Sequence, residues 1–206
     1  MTVLSRPRDP IVADALVLAG EWRRGQIIDG APALGHAVKV ALVLGRHVPN
    51  AAPELVAAVL LHDSPEYAPK DVDLDALLTV RLGPAVTRIV RGLEREHIAL
   101  DGRPVPDVTT EDRWTLWASA ADKMVSLRSI LGRAARAADP AVYWRSRRAF
   151  VVRVPYFAAF HTAAAPHLPP GMAGNLARLV VRAELATAPY RDTDRVPDGQ
   201  GEATQS

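Results

Sequence analysis

The segment Ala57–Glu66, which reads AAVLLHDSPE, ends a long apolar run with a histidine and an aspartate. An ionised aspartate is costly to bury unless it is paired with a cation or binds a metal. His62 and Glu66 are four residues apart and Asp63 and Glu66 three, so the three side chains share one face if the helix continues through them. The segment therefore predicts a buried helix that carries chemically active side chains at its end.

Two further residues of metal-ligand type lie in segments that should be packed. His36 precedes the apolar sequence AVKVA, and Asp122 lies in the small-residue sequence ASAADKMV. Together with His62 and Asp63 they form the order H…HD…D, with spacers of 25 and 58 residues. Imidazole and carboxylate together suit Mn²⁺, Fe²⁺, Co²⁺ or Zn²⁺. We therefore expect the four side chains to hold one divalent ion and to leave positions for water and a phosphate oxygen.

Each of these residues also has a simpler interpretation. A single histidine such as His36 is more often a helix cap or a hydrogen-bonded, partly buried residue. A single aspartate such as Asp122 more often pairs with an arginine, here Arg128 or Arg91. The four residues in this order are harder to explain without an ion, which favours the metal site.

The composition favours helices over sheets, because Ala, Leu, Val and Arg dominate and no convincing strand alternation is present. We predict an all-α fold, a compact helical bundle that forms a single domain over residues 10–188, and a disordered tail over 189–206. The predicted helices are Ile11–Arg24, Gly35–Arg46, Pro53–Asp63, Leu74–Arg81, Ala85–Leu100, Trp114–Gly132, Ala141–Ala164 with an interruption near Pro155, and Met172–Ala188.

The composition also excludes several classes of function. Without cysteine, the chain has no disulfide, thiolate metal site or cysteine nucleophile. The 25 Lys and Arg residues nearly balance 23 Asp and Glu residues and form no dense basic tract, so nucleic-acid binding is not expected. No signal-peptide core and no long apolar run occur, so we expect a cytoplasmic protein that does not bind a membrane. Aromatic residues such as Trp114 and Tyr156 should pack in the core or in a homodimer contact.

The order H…HD…D resembles the signature of the HD-domain metal-dependent phosphohydrolase superfamily. The surrounding sequence looks most similar to one branch, the hydrolase domain of the RelA/SpoT-like guanosine polyphosphate enzymes, over about residues 14–131. The similar segments are Gly25-Gln26 ahead of His36, AAVLLHDSPE at 57–66, LGPAVTRIV at 82–90 and ADKMVSLR at 121–128.

The resemblance implies an HD-domain helical bundle with a divalent ion of the Mn²⁺ type on His36, His62, Asp63 and Asp122. It implies hydrolysis of a phosphate or pyrophosphate ester of a small phosphorylated nucleotide, with guanosine 3′,5′-bis(diphosphate) as one candidate. Glu66 would activate or orient the attacking water. The residues expected to bind the substrate are Lys70, Lys123, Ser126 and Arg128.

The chain departs from the pattern of this branch, and two alternatives follow. Tyr67 stands where an acidic residue follows the glutamate, and Ser126 stands where the branch has asparagine. One alternative is a nucleoside 5′-monophosphatase of the same superfamily, in which Asp71 or Asp73 would act, although Asp73 more often caps the next helix. The other is a non-catalytic HD-fold regulator that binds a nucleotide.

His97 is interpreted as part of a charged, solvated helix face.

Overall fold

The structure, a computed structural model, describes residues 2–6, 8–28, 31–102, 108 and 112–191. Within them the chain is a bundle of α-helices, which confirms the all-α class. The helices are α1 (Pro10–Trp22), α2 (Ala33–His47), α3 (Pro53–Leu60), α4 (Ser64–Tyr67), α5 (Leu74–Leu82), α6 (Pro84–Gly102), α7 (Arg113–Ala134), α8 (Pro140–Ser146), α9 (Arg148–Ala164) and α10 (Pro170–Thr187). Two short strands that the residue pattern does not predict, β1 (Ile27–Ile28) and β2 (Ala31–Pro32), pair in antiparallel fashion.

Helix α3 lies at the centre of the bundle. Every residue from Leu55 to Leu60 is buried, and the helix packs against α1, α2 and α6. A helix that is apolar around its whole circumference is stable only inside a core. Burial of each Leu or Val side chain there contributes about 2 kcal/mol. Helix α3 therefore fixes the position of the turn that follows it.

The third predicted helix ends early, at Leu60, and α4 begins after a short turn. Pro65 explains the break, because in a continuous helix the Leu61 carbonyl would accept the N–H of residue 65, which proline lacks. That carbonyl instead accepts hydrogen bonds from the backbone N–H of Ser64, at 2.8 Å, and from the Ser64 hydroxyl. The condition under which His62, Asp63 and Glu66 would share one helix face is therefore not met, since the helix does not continue through them. The turn sets the direction of the two residues between the helices.

Aspartate side chains cap several of the helices. The Asp73 carboxylate accepts a hydrogen bond from the backbone N–H of Ala76 at 3.0 Å, which confirms the cap interpretation of Asp73. Asp112 accepts from two N–H groups in the first turn of α7, while Thr110 and Glu111 lie outside the described residues. Such caps satisfy backbone donors that the helix itself leaves without partners.

The C-terminal half differs from the prediction at the position of its helix break. The predicted helix 141–164 is divided into α8 and α9 at Arg147, whose φ of −113° and ψ of 32° are not helical. Pro155 lies inside α9 and does not interrupt it. Residues on both sides of the break, among them Ser146 of α8 and Phe150 of α9, line one cavity.

The chain continues as folded structure past the predicted end of the domain. Ala188–Tyr190 forms a 3-10 turn, and the backbone carbonyls of Tyr190 and Arg191 accept hydrogen bonds from the Arg148 guanidinium. The rest of the predicted tail, residues 192–206, lies outside the described residues. None of the described helices is both long and apolar enough to cross a membrane.

Candidate metal centre

Histidine and aspartate side chains from separate elements meet at one point of the bundle. His36 lies in the first turn of α2, His62 and Asp63 in the turn after α3, His97 in α6, and Asp122 in α7. Asp122 Oδ1 is 2.9 Å from His36 Nε2 and 3.7 Å from His62 Nε2, and Asp122 Oδ2 is 3.5 Å from His97 Nε2. Asp63 Oδ1 is 3.1 Å from His62 Nε2. The fold thus brings the four residues of the H…HD…D order together and adds His97.

The two ring nitrogens of His62 have different surroundings. Nδ1 lies 2.8 Å from the carbonyl oxygen of Val59, and because a carbonyl only accepts, Nδ1 carries the proton and donates it. Burial lowers the pKa of His62 even though Asp63 and Asp122 are close, so the ring is neutral near pH 7. Nε2 is therefore an unprotonated, buried atom that has no hydrogen-bond partner in the described part of the chain.

This arrangement fits a divalent cation. The lone pair of His62 Nε2 faces oxygens of Asp63 and Asp122, and a buried polar atom without a partner costs about 1–3 kcal/mol. A cation between these atoms removes the repulsion and satisfies the nitrogen. Metal-binding histidines are commonly held in this way, with the other ring nitrogen donating to a backbone carbonyl. Ligand atoms of His36, His62 and Asp122 lie within 4.8 Å of one another, close enough for one ion.

Arg23, which follows α1, orients Asp63. Its buried guanidinium donates from Nη1 to the Leu60 carbonyl at 2.8 Å and from Nη2 to Asp63 Oδ2 at 3.3 Å. The other carboxylate oxygen, Oδ1, is left facing His62. The Tyr67 ring packs over the guanidinium, 5.6 Å from its centroid to Cζ. Sequence reasoning does not find Arg23, because its partners lie 37 and 40 residues away in the chain.

The charges of the cluster are strongly coupled. Burial alone would raise the pKa of Asp122, but hydrogen bonding to His36 and His97 holds that pKa well below its ordinary value. Burial alone would lower the pKa of His36 and of His97, and hydrogen bonding to Asp122 together with its charge raises both instead. Asp122 is thus ionised at the centre of the cluster. The protons that His36 and His97 share with Asp122 lie where a metal cation could bind instead.

The interpretation of His97 as part of a solvated face is wrong. The buried residues Val86, Val90 and Leu93 recur along α6 in steps of four and three, and His97 continues the series with a further step of four. That spacing places it on the face of the helix that packs into the bundle. The periodicity is present in the sequence, but the charged neighbours at 94–96 conceal it.

A cavity of about 620 Å³ opens beside the cluster. His36, Asp63, His97 and Asp122 form part of its wall, and its volume suits a small molecule of nucleotide size. The rest of the wall includes basic and aromatic residues, namely Lys39, Arg133, Arg147, Arg153, Phe150 and Phe157. The cluster therefore borders a space that favours an anionic ligand with an apolar part.

The remaining predicted site residues lie in different places. Glu66, the predicted base, is exposed and lines the cavity, as does Ser126. Arg128 is not part of this wall and lines a separate groove between α2 and α7. Lys70 is exposed on the loop after α4 and does not line the cavity.

Lys123 is enclosed in the core, although the sequence predicts that it contacts the phosphate of a substrate. Its side chain is 3% exposed and pairs with Glu96, and its ammonium lies 3.1 Å from Ser119 Oγ. The ring of Phe160 lies 4.4 Å from the ammonium, and the Tyr156 hydroxyl donates to Glu96 at 3.2 Å. Because these groups surround the charge, the structure assigns Lys123 to the packing of α6, α7 and α9 and corrects the expected role.

No family model matches the chain, and no curated protein matches it. The fold and the site define an all-α protein with a candidate centre for a divalent metal ion. A narrower function has to come from the chemistry of the centre and of the cavity beside it.

The metal centre predicts that chelator-treated protein binds one divalent ion per chain. At an Mn²⁺ concentration about 100 times its Kd, binding should stabilise the fold by about 2.7 kcal/mol and raise Tm by roughly 5–10 °C. His62→Ala should lose this response, whereas His167→Ala, which changes an exposed histidine, should retain it. Calorimetric titration and thermal unfolding measure both. An equal response in the two variants would contradict the assignment.

The contacts of Arg23 predict a specific effect of a conservative change. In Arg23→Lys a single ammonium cannot reach both the Leu60 carbonyl and Asp63, so Asp63 loses its orientation and the metal Kd should rise about tenfold or more. The adjacent Arg24→Lys, at an exposed position, should keep the wild-type Kd. Titration with Mn²⁺ compares the two. Unchanged affinity in Arg23→Lys would show that Asp63 is positioned by other contacts.

The enclosed Lys123–Glu96 pair predicts a structural role. Lys123→Met leaves Glu96 without its cation and should lower the free energy of unfolding by about 3 kcal/mol in urea denaturation. Lys39→Met, which changes an exposed lysine, should alter it by less than about 0.5 kcal/mol. The double variant Lys123→Met/Glu96→Gln should recover much of the loss. A Lys123→Met protein as stable as wild type would refute this role.

Proposed function

We propose that the protein is a metal-dependent phosphohydrolase that acts on a small phosphorylated nucleotide. His36, His62, Asp63 and Asp122 hold the ion. One observation carries the proposal: the unprotonated Nε2 of His62 is buried and faces carboxylate oxygens, next to a cavity whose wall includes basic side chains. A histidine with a purely structural role would have a hydrogen-bond partner at this nitrogen.

The chain's own groups are suited to phosphate ester hydrolysis. A bound divalent cation supplies Lewis-acid activation of a phosphoryl oxygen and of water. Glu66, on the wall of the same cavity, accepts the proton of the attacking water as general base. Lys39, Arg147 and Arg153 contribute positive charge that attracts the phosphate and stabilises the negative charge of the reacting group.

The aromatic part of the wall suits a nucleobase or another flat group. The rings of Phe150 and Phe157 have their centroids 5.8 Å apart and are tilted by 36°. Both lie on α9, whereas the ligand cluster lies on other elements, so the cavity has an ion-binding side and an aromatic side that also carries Arg153. A substrate with a phosphate at one end and a base at the other matches this division.

Within this proposal the chain belongs to the HD-domain superfamily, and guanosine 3′,5′-bis(diphosphate) and Mn²⁺ are the first candidates for substrate and ion. The order of His36, His62-Asp63 and Asp122 on an all-α bundle supports this view. Tyr67, which stands where the similar branch has an acidic residue, packs on Arg23. In this proposal Glu66 therefore acts as the general base alone, because the next residue, Tyr67, is not acidic. The cytoplasm, where such nucleotides occur, is the compartment we propose.

Product analysis with Mn²⁺-loaded protein tests the function. Pyrophosphate released from guanosine 3′,5′-bis(diphosphate) is the expected result. Glu66→Gln should lower kcat by about 10²–10⁴ while the Mn²⁺ Kd stays near the wild-type value. Glu21→Gln, at an exposed position on α1, serves as the control and should keep the wild-type rate.

The other products separate the remaining candidates. Orthophosphate released from a nucleoside 5′-monophosphate would identify the monophosphatase alternative, although Asp73 already caps α5. Nucleotide binding without any product over a panel of phosphate and pyrophosphate esters would contradict the hydrolase proposal and support the non-catalytic regulator.

A further inference from the structure

A second concave surface lies between α2 and α7, and we call it the α2–α7 groove. Its volume is about 350 Å³, and its lining includes four basic residues. Lys39 and Arg46 lie on α2, Arg128 lies on α7, and Arg136 lies in the turn that follows α7. Lys39 and Arg46 are seven residues apart, which keeps both on one side of α2. The groove therefore has positive charge on both of its sides.

Among the residues that the structure describes, no acidic one lines the α2–α7 groove. Some other exposed arginines of the bundle are paired with carboxylates, as in Arg81 with Asp14 and Arg88 with Asp112. Within the described residues, by contrast, none of the four basic side chains of the groove forms an ion pair. Positive charges gathered in a concave surface without counter-charges attract anions.

The neighbouring His47 lies in the same positive field. Burial lowers the pKa of His47 first, and the charges of Arg128 and Arg46 lower it further. A nearby protonated imidazole would add a further like charge, and the groove disfavours it.

The α2–α7 groove adjoins the cavity beside the candidate metal centre. Lys39, Val125 and Ser129 line both spaces. Along α2, the distance from His36 in the ligand cluster to Arg46 at the far end of the groove is about 15 Å, from the rise of the helix. One elongated molecule could therefore occupy both spaces, with Lys39 between them.

We propose that the α2–α7 groove is a phosphate-binding subsite for the far end of an elongated substrate. The substrate class is then a small molecule that carries a second phosphate or oligophosphate group about 10–15 Å from the bond that is cleaved. As a part of the substrate site this inference rests on the proposed function, but anion binding in the groove itself does not require hydrolysis. The small volume and the lack of a longer basic tract argue for a small phosphorylated molecule as the occupant.

A direct binding experiment tests the subsite without catalysis. The full chain is titrated with inorganic tripolyphosphate in EDTA, so that no divalent ion can contribute to binding. Arg128→Ala/Arg136→Ala should raise the Kd about tenfold or more, as expected for the loss of two charged contacts. Arg24→Ala/Arg182→Ala removes two exposed arginines from other surfaces and should bind as wild type does. His62→Ala should also bind as wild type does.

Equal Kd values for wild type and Arg128→Ala/Arg136→Ala would overturn the subsite. Circular dichroism and thermal unfolding verify that the double variant is folded. Binding lost in His62→Ala but retained in the groove variant would place the anion in the metal-site cavity and equally overturn the proposal.

Kinetics then tests the link to the substrate. Arg128→Ala/Arg136→Ala should raise KM for guanosine 3′,5′-bis(diphosphate) about tenfold more than for guanosine 3′-diphosphate, which keeps the group that is cleaved and lacks the far one. An equal effect on both KM values would show that the groove does not contact the substrate. If wild type hydrolyses neither compound, the proposed function is contradicted, and the tripolyphosphate titration alone decides whether the groove binds phosphate.

Discussion

The buried Nε2 of His62 is the constraint from which the candidate site follows. The other ring nitrogen donates to the Val59 carbonyl, and burial lowers the pKa of the ring and so disfavours a second proton on Nε2. The nearest groups to Nε2 are carboxylate oxygens of Asp63 and Asp122. Acceptors do not stabilise one another in a core. A divalent cation resolves this conflict, and the neighbouring His36 supplies a further ligand of the right type.

The fold produces this constraint through packing and a proline. Apolar α3 is held inside the bundle by its whole circumference, and Pro65 prevents the helix from continuing. The resulting turn directs His62 and Asp63 toward α2 and α7, where Arg23 fixes one oxygen of Asp63. The apolar core thus determines where a polar centre can exist, and a few buried hydrogen bonds determine its geometry.

Different helices contribute the ligands, the basic side chains and the aromatic side chains around the centre. Helices α2 and α7 contribute ligands at one end of their contact and basic side chains along the rest of it. Helix α9 and Arg147, which precedes it, close the cavity with basic and aromatic residues. An elongated phosphorylated molecule is the ligand that we propose for both surfaces, and it would connect the proposed hydrolysis with the proposed subsite.

The sequence predicts the features that local pattern controls. Apolar periodicity and aspartate caps give the all-α class, most helix bounds and the cap role of Asp73, and the H…HD…D order identifies side chains that meet in space. Contacts between distant segments are not accessible in this way. Arg23 and the enclosed partners of Lys123 depend on how α1, α6 and α9 pack, and a charged side chain near an active motif does not reveal whether it faces a ligand or the core. The inward position of His97 could have been predicted from the sequence, because His97 continues the periodicity of buried residues along α6.

X-ray absorption spectroscopy of protein loaded with one equivalent of Zn²⁺ or Mn²⁺ tests the central claim most directly. Coordination by His36, His62 and carboxylate oxygens predicts only nitrogen and oxygen neighbours, at roughly 2.0–2.2 Å for Zn²⁺, with the outer-shell scattering of at least two imidazole rings. That scattering should fall when His62 is replaced by alanine. A spectrum of oxygen neighbours alone, the same in wild type and His62→Ala, would contradict the account.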